Sequence, residues 1–512
     1  MLLMGVDVGT SSVKVSIIEI NEKDRTLKQI IETSVPLKVI YDEFGRVEQD
    51  PSEYLKATFT AVKKALKLSR IRTENIMGLG ISAQCPTLVL LDHKGNPLCN
   101  AILYMDRRSE GVCQEVLKKF GSERLFKLTK NVADPYFAGY KLIWLARNMK
   151  SIYEKSSVIL SAGQFLVYKL TGTKCIDRIT ACTFAPFYDW DKDSWSVDLL
   201  DEFGLSFKKL PYPIYPPYKI VGGLSSEVAS KLKLRSGTPV AIGTCDAQAG
   251  ALASGATSEG DSIMICGTTH LWEVIQSYPP KFAKHLLNAP YIFPNLYLSA
   301  AALLTTGAII EWFTKKIILV KKYLPVQDVL KQLEEEARNV SPGSGGLIAL
   351  PYFMGERSPI WDPYARGLIL GLTLKHERAH IYRALLEGVA FALKSCKEIF
   401  DFMGLTPKEI IAINGAVKNK LWMEIISNTL GLPIKAPRIK LSSASGAALL
   451  AGYGLRIFKD PKDLKKYFSY EMLVEPNEKI MTSYEKIYSV FSQLYPILKD
   501  YMHKLSKMGY IC

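Results

Sequence analysis

Residues 2–20, LLMGVDVGTSSVKVSIIEI, are the stretch that decides the fold. An apolar run ends at Gly9, a polar turn follows, and apolar residues then alternate with Lys14 and Ser16. Alternation with a period of two is typical of a strand with one covered face, and a short turn between two strands makes a β-hairpin. Residues 261–275, DSIMICGTTHLWEVI, repeat this pattern around Gly267. Two similar hairpins favour a chain built from two related halves.

The turns of both hairpins are suited to binding an anion. Glycine permits a tight turn, and the backbone N–H groups and hydroxyls of such a turn can converge on a phosphate. Lys14 would add a positive charge, and Asp7, at the end of the first strand, could hold magnesium through water. An isolated turn of this type is most often only structural, but two of them suggest two loops that grip one polyphosphate. The candidate phosphate-binding residues are Gly9, Thr10, Ser11, Ser12, Lys14, Gly267 and Thr268.

The bulk properties narrow the class of protein. A chain of 512 residues predicts two large domains, and its alternating strands and helices predict a mixed α/β architecture. Composition favours a soluble protein, and we find no apolar run of about eighteen residues that could span a membrane. The first residues lack a basic region and reach Asp7 early, unlike a signal peptide. Nine scattered cysteines without a CxxC pair indicate a reducing cytoplasm.

The net charge of +15 is spread along the chain. A dispersed basic surface favours anionic small molecules, so we expect neither nucleic acid nor a membrane as partner. No Walker A sequence is present, and no G-x-G-x-x-G follows the opening strand, which disfavours two common nucleotide-binding folds.

Residues 376–380, HERAH, match the H-E-x-x-H pattern of zinc peptidases. That chemistry needs both histidines on one helix, one turn apart. The apolar stripe Ile381, Leu385, Val389 and Leu393 places the helix start near residue 378, so that His376 falls in the preceding turn. We therefore predict that the match is accidental and that no zinc is bound.

Asp246 follows the apolar segment VAIGTC and opens a run of small residues. A carboxylate there is either the cap of the following helix or a functional group at the carboxyl end of a strand, where α/β proteins bind ligands. The residues alone leave both interpretations open.

Taken together, the chain resembles the FGGY family of carbohydrate kinases along nearly its whole length. GVDVGTSSVKV and CGTT resemble its two phosphate loops, and LPYFMGERSPIWDPYARGLILGL followed by HIYRALLEGVAF resembles its second signature. YFAGYKLIWLARN resembles the family's K-x-x-W helix, with Ala138 in place of Ser, Thr or Pro. The resemblance implies two ribonuclease-H-like domains of the actin-like ATPase superfamily with a cleft between them. We expect residues 1–250 to carry the sugar site and first phosphate loop, and residues 251–512 the nucleotide site and a C-terminal helix.

The resemblance also implies roles for single residues. The cofactors would be ATP and Mg²⁺, with Asp7 and Asp246 near the metal and Asp246 as the general base that accepts the proton of the attacking hydroxyl. Asn414 stands where the family usually has glycine. The implied ATP-binding residues are those of the two turns together with Gly307, Glu311, Gly415, Ala416 and Asn419. The implied substrate-binding residues are Gln84, Cys85, Tyr104, Asp106, Tyr136, Asp246 and Gln248.

Substrate identity depends on the residues after Gln84. Glycerol kinases carry Arg-Glu there and xylulokinases Met-His, whereas this chain has Cys85 and Pro86. The residues 134–137, DPYF, resemble glycerol kinases, while MGERSP favours sugar kinases. We therefore expect a ketopentose such as xylulose or ribulose, with glycerol or another short polyol as the alternative. An actin-like or chaperone-like ATPase without a sugar substrate is the alternative from another class, and a homodimer is left open.

Overall fold

The computed structural model describes residues 1–42, 45–281, 285–318 and 325–508. The chain divides into two compact units. The first comprises Met1–Ser258, Ala289–Tyr297 and Ile439–Ser469, and the second comprises Glu259–Asn288, Leu298–Arg438 and Tyr470–Cys512. Within the described ranges, every helix is too short or too polar to traverse a lipid bilayer.

The main sheet of the first unit has six strands among the described residues. In spatial order these are Ile220–Gly223, Pro239–Cys245, Ile76–Ala83, Leu2–Val8, Ser12–Asn21 and Thr26–Pro36. The predicted first hairpin is confirmed, with Val8 opposite Val13 in an antiparallel pair. The three strands that end at Val8, Ala83 and Cys245 run parallel. Their carboxyl ends therefore lie at one edge of the sheet, the usual place for ligands in such folds.

Helices and short strands surround this sheet. The helices are Pro51–Ser69, Glu110–Phe120, Ser122–Thr129, Ala138–Asn148, Lys150–Lys155, Ala162–Thr171, Arg178–Cys182, Val197–Glu202, Ser226–Leu232, Asp246–Ala253, Ser443–Gly454 and Pro461–Lys465, with 3₁₀ turns at Thr73–Asn75 and Phe207–Lys209. The short strands are Ile40–Tyr41, Val47–Gln49, Val89–Leu91, Ala101–Ile102, Val158–Leu160, Ile176–Asp177, Tyr188–Asp189, Ser194–Trp195 and Ile214–Tyr215.

The helix Ser443–Gly454 packs on this sheet with its backbone in direct contact with the strands. A Cβ atom at Gly5 would lie 1.7 Å from the carbonyl oxygen of Ala444, and one at Gly80 would lie 1.7 Å from that of Ala447. Residues on the two sides of Gly5, such as Met4, point to the other face and join the apolar core there. The contact therefore requires glycine in the strands and small residues in the helix.

The second unit contains a seven-stranded sheet in the part of the chain that the structure describes. Its strands in spatial order are Leu287–Pro290, Tyr297–Leu303, His270–Gln276, Ser262–Cys266, Ile410–Ile413, Ile434–Pro437 and Tyr470–Val474. A separate pair is formed by Ile348–Leu350 and Leu368–Leu370. The helical segments are Gly307–Trp312, the π-helical turn Phe313–Ile317, Val326–Arg338, the 3₁₀ turns Ser344–Gly346 and Gly415–Lys418, Arg378–Met403, Lys420–Leu430 and Glu478–Lys507.

The predicted second hairpin is present, with Cys266 opposite His270. The long helix begins at Arg378, as its apolar stripe predicts, so His376 lies outside it. His380 accepts a hydrogen bond from the backbone N–H of Glu377, while the Glu377 side chain accepts one from the backbone of His380. The HERAH segment is thus a helix cap, and its two histidines do not share a helical face.

Candidate functional site

Asp7 ends the first strand and is almost fully buried. Ser82 Oγ donates to its Oδ1 at 2.9 Å, and Ser443 Oγ donates to its Oδ2 at 2.7 Å. Burial raises the pKa of Asp7 above its ordinary value, and the two serine hydroxyls and the charge of Lys14 oppose that rise. Lys14 stands opposite Asp7 in the hairpin register. The strand end therefore carries a buried carboxylate beside a cation.

Asp246 follows the strand Pro239–Cys245 and is the first residue of the helix Asp246–Ala253. It is half-buried, and its Oδ1 accepts a hydrogen bond from the N–H of Ala247 at 2.9 Å. Burial and the negative charge of Asp7 raise the pKa of Asp246 to about 7. A carboxylate with such a pKa can accept a proton near neutral pH. Asp246 thus occupies both positions that the sequence left open, the start of a helix and the carboxyl end of a strand.

Asp7 and Asp246 together form a pair of like charges at one edge of the sheet. The positive charge of Lys14 lowers the pKa of both carboxyl groups, but burial raises both by more. Lys14 therefore offsets only part of their mutual repulsion. A divalent cation would relieve that repulsion. No cluster of three or more His, Cys, Asp or Glu side chains able to hold a metal occurs among the described residues. The two carboxylates, Asp7 and Asp246, fit Mg²⁺, which is commonly bound by one or two carboxylates plus phosphates and water.

A buried amide network fixes the first turn. Thr10 Oγ1 donates to Gln84 Oε1 at 2.9 Å, and Gln84 Nε2 donates to Gln49 Oε1 at 2.6 Å. Gln49 Nε2 closes the ring by donating to the carbonyl oxygen of Thr10 at 2.7 Å, and Tyr54 OH donates to Gln49 Oε1. Gly9 N–H bonds to the carbonyl oxygen of Ser12 at 3.0 Å. The turn is thereby pre-organised, with Ser11 exposed at its tip.

Several residues predicted to bind substrate lie around the same network. Tyr136 OH donates to the carbonyl oxygen of Cys85 at 2.9 Å, and the rings of Tyr136 and Tyr104 meet edge to face at 6.2 Å. Tyr104, Tyr136 and Cys85 are each partly exposed. Gln248, in the first turn of the Asp246 helix, has a buried Oε1 atom without a partner among the described residues. An unpaired buried acceptor of this kind is suited to a hydroxyl donor from a ligand.

Asp106 differs from these residues. It is fully buried, and both of its oxygens are engaged: Arg108 donates to them through its backbone N–H, Nε and Nη2, and Val47 through its backbone N–H. The Arg108 guanidinium also bonds to Glu48 at 2.6 Å. In this arrangement Asp106 holds the loop that carries Tyr104.

The turn of the second hairpin packs against the start of the helix Gly307–Trp312. Gly307 N–H bonds to the carbonyl oxygen of Gly267, and Ala308 N–H bonds to that of Thr268 at 3.1 Å. A Cβ atom at Gly307 would lie 2.4 Å from the carbonyl oxygen of Gly267, which explains why glycine is required there. Thr268 is exposed at the turn. The predicted residues Gly267, Thr268 and Gly307 therefore form one local structure.

The same structure opens into a cavity of about 1020 Å³. Ile310, Leu330, Tyr382 and Trp422 give it apolar walls, and its volume suits a drug-sized or nucleoside-sized ligand. Asn419 caps the helix Lys420–Leu430 by accepting from Trp422 N–H, and its amide nitrogen donates to Tyr382 OH at 3.0 Å. All of the predicted nucleoside-site residues line this cavity, namely Gly307, Glu311, Gly415, Ala416 and Asn419.

Sequence reasoning missed several residues of both sites. Ser82 and Ser443 bond to Asp7, but Ser443 is 436 positions away from it along the chain. Tyr54 lies in the first turns of the helix Pro51–Ser69 and Gln49 in the short strand before it, and local sequence marks neither as part of a network. Tyr382 and Trp422 carry the apolar periodicity of their helices, which gives no sign that they also face a cavity. Only contact information could have identified these residues.

Comparison with known proteins gives a consistent result. The sequence model described as "FGGY family of carbohydrate kinases, N-terminal domain" matches residues 2–253, and that of the C-terminal domain matches residues 263–455. The chain is 27% identical over 503 residues to a xylulose kinase of Bacillus subtilis, covering 97% of each chain. It is 26% identical to glycerol kinase 2 of Thermotoga maritima, covering 93% of this chain and 94% of the relative. The solved xylulose kinase of Rhodospirillum rubrum superposes with a TM-score of 0.90 at 26% identity, covering 98% of this chain and all of the other.

Proposed function

Since this chain belongs to the FGGY family of carbohydrate kinases, we propose that it transfers the γ-phosphoryl group of ATP to a terminal hydroxyl of a ketopentose. The family match and the structural likeness confirm the predicted fold class, the two-domain α/β fold of the actin-like ATPases, and the predicted kinase activity. Membership of a kinase family implies a nucleotide as phosphoryl donor. The match over both domains also favours the kinase over an ATPase without a sugar substrate.

The observation that carries the proposed chemistry is Asp246. Its carboxylate stands at the carboxyl end of a strand, with a pKa of about 7 that allows it to take a proton near neutral pH. In the transfer, a substrate hydroxyl oxygen attacks the γ-phosphorus, its proton passes to Asp246, and ADP leaves with the electron pair of the broken P–O bond. The oxygen of the new phosphate ester thus loses its proton to Asp246.

Charge neutralisation would come from the surroundings of Asp7. Asp7 and Asp246 would hold Mg²⁺, which supplies positive charge to the phosphate oxygens. Lys14 and the N–H groups of the first turn would hold the phosphates from the protein side. The pre-organised Gln49–Gln84–Thr10 network supports this role, because a turn that is already fixed need not be ordered when the nucleotide binds.

The nucleoside would occupy the cavity of the second unit. Its apolar walls at Ile310, Leu330 and Tyr382 suit an aromatic base, while Gly267 and Thr268 at its edge suit the phosphates.

The substrate class rests on Cys85 and Pro86. Glycerol offers three hydroxyls and depends on a few strong polar contacts, which an Arg-Glu pair can supply and a thiol and a proline cannot. Tyr104 and Tyr136 offer a larger, partly apolar platform, and Gln248 offers a free acceptor. The relatives include both xylulose kinases and glycerol kinases, so they do not choose between the two substrates. The residues of this chain named above favour the pentulose over the triol.

The test is a coupled assay of ADP release with ATP, Mg²⁺ and a panel of pentuloses, pentitols and glycerol. Sites that hydrogen-bond a hydroxyl discriminate strongly, so we expect kcat/KM for the best pentulose to exceed that for glycerol by roughly a hundredfold. The Asp246→Asn variant serves as the control for contaminating kinases. Equal turnover of glycerol would reverse the substrate assignment, and ADP release that no polyol stimulates would favour the ATPase. A cytoplasmic location and a homodimer stay predictions.

A further inference from the structure

His270 is a buried histidine at the base of the second hairpin turn. It begins the strand His270–Gln276, pairs with Cys266 across the hairpin and is only 1% exposed. Its Nδ1 lies 2.6 Å from Thr306 Oγ1, whereas its Nε2 has no partner within the described part of the chain. Burial lowers the pKa of His270 to about 4, so the imidazole is neutral at physiological pH.

The contacts of Thr306 bear on which ring nitrogen of His270 carries the proton. Thr306 Oγ1 donates towards the carbonyl oxygens of Gly267 and Thr268, at 3.4 and 3.3 Å. A hydroxyl has one proton, so where Thr306 gives it to a carbonyl of the turn, the short contact with His270 has Nδ1–H as the donor. This tautomer leaves Nε2 as a bare acceptor, which is the atom that lacks a partner. In that tautomer the imidazole holds the hydroxyl of Thr306, which lies within reach of two backbone carbonyls of the turn.

Fixing those carbonyls also fixes the N–H groups of the turn. In a trans peptide the carbonyl and the following N–H point in opposite directions. The carbonyls of Gly267 and Thr268 face Thr306 and the start of the Gly307 helix, whose backbone N–H groups bond to them at 3.1–3.2 Å. The N–H groups of Thr268 and Thr269 must therefore face the opposite side, away from Thr306.

We propose that His270 is a positioning residue for phosphoryl transfer, which acts through Thr306 to hold the N–H groups of Thr268 and Thr269 towards the terminal phosphates of the nucleotide. This inference rests on the proposed function, because it assigns a phosphate-holding role to the second turn. His270 touches no substrate itself. It also packs against Trp422, a wall of the cavity, with ring centroids 5.1 Å apart. A test must therefore separate phosphate binding from nucleoside binding.

The test compares four variants by titration with ATP and with adenosine. His270→Leu and Thr306→Val break this contact, whereas His270→Asn can place an N–H near the Nδ1 position and Thr306→Ser keeps the hydroxyl. A tenfold loss of affinity corresponds to about 1.4 kcal/mol, which is the scale of one buried hydrogen bond. We expect His270→Leu and Thr306→Val to weaken ATP binding about tenfold and adenosine binding less than twofold. The Asn and Ser variants should stay within about threefold of the parent for both ligands.

Each outcome decides the question. ATP affinity within twofold of the parent in both disruptive variants would overturn the role of His270, and so would an equal loss of ATP and adenosine, which indicates a damaged cavity wall. If His270→Leu does not fold, Thr306→Val decides alone, since valine has nearly the shape of threonine. A parent protein that binds no ATP would instead overturn the proposed function, and this inference with it.

Discussion

The two Gly-Thr hairpins share one design and differ in the residues that support it. In the first, residues 9–12 connect Val8 to Val13, and in the second the shorter turn 267–269 connects Cys266 to His270. In each hairpin, the second residue pair from the turn differs. It is Asp7 with Lys14 in the first hairpin and Ile265 with Leu271 in the second. The same backbone motif thus presents charged side chains in one unit and apolar ones in the other.

The supports of the two turns differ in the same way. Amide side chains from distant parts of the first unit, Gln49 and Gln84, lock the first turn. A neutral imidazole and a hydroxyl, from His270 and Thr306, hold the second. Under the proposed function, proton and metal chemistry would belong to the first unit, and the second hairpin would contribute neutral dipoles.

The Asp246→Asn substitution is the most severe test of the role proposed for the first unit. Asparagine keeps the size and much of the hydrogen bonding of Asp246 but cannot take a proton, so we expect kcat to fall by about 10²–10⁴-fold. ATP affinity, measured by direct titration, should change by less than roughly tenfold, since other residues hold the phosphates. If Asp246 only started its helix, Asn would serve about as well. A kcat within threefold of the parent would falsify the assignment.

The lock of the first turn is tested by Gln49→Met, with Tyr54→Phe as its matched control. Methionine has a similar shape but leaves the Thr10 carbonyl, the Gln84 amide and the Tyr54 hydroxyl without their partner, so we expect a loss of about 3 kcal/mol in the free energy of unfolding. Tyr54→Phe removes a single bond to Gln49 and should cost about 1 kcal/mol. Chemical denaturation measures both. Equal losses in the two variants would show that the network does not act as a unit.

The pH dependence of the activity of the parent protein tests the protonation of the Asp246 carboxyl group. Burial and Asp7 raise the pKa of Asp246 to about 7, and only the charged form accepts a proton. We therefore expect kcat/KM to rise about tenfold per pH unit below pH 7 and to level off above it, or about a hundredfold between pH 5 and 8. Steady-state rates in buffers of constant ionic strength measure the profile. A flat profile over this range would contradict a base with a raised pKa.

The smallest expected effect concerns Asn414, in the second unit. Its φ of 76° and ψ of −166° lie in a region that only glycine adopts without strain, immediately before the cavity residue Gly415. Asn414→Gly should therefore raise the free energy of unfolding by about 1 kcal/mol. Asn295→Gly is the control, because the φ of 58° at Asn295 is one that asparagine tolerates. A gain at Asn295 equal to that at Asn414 would show a general glycine effect instead of local strain.

Local signals allowed much of the fold to be predicted. The helix Pro51–Ser69 has a capping Asp50 and a proline at its start, and the helix Arg378–Met403 has an unbroken apolar stripe and Gly404 after it. In both hairpins a continuous apolar run leads into a polar turn that contains glycine, and a second strand follows it. These features depend on neighbours within a few residues, so the sequence displays them directly.

The remainder depends on contacts between distant segments. The strand order, the bonds of Ser82 and Ser443 to Asp7, and the His270–Thr306 pair leave no periodic trace in the sequence. Residue patterns predict the phosphate turns and single out Asp246, the family resemblance implies the other site residues, and all of these roles stay predictions. The structure adds which of them lie together and shows that both oxygens of Asp106 are already engaged by its neighbours.

The glycine-lined contact of the helix Ser443–Gly454 has a consequence for biosynthesis. Gly5 and Gly80 belong to strands that leave the ribosome early, while the helix that covers them is made near the end of translation. Until then, the nascent first unit has one face of its sheet bare, and such exposed surface is prone to aggregation. A chain whose synthesis stops before residue 443 would therefore need a chaperone to protect this face, even if all of its other elements had formed.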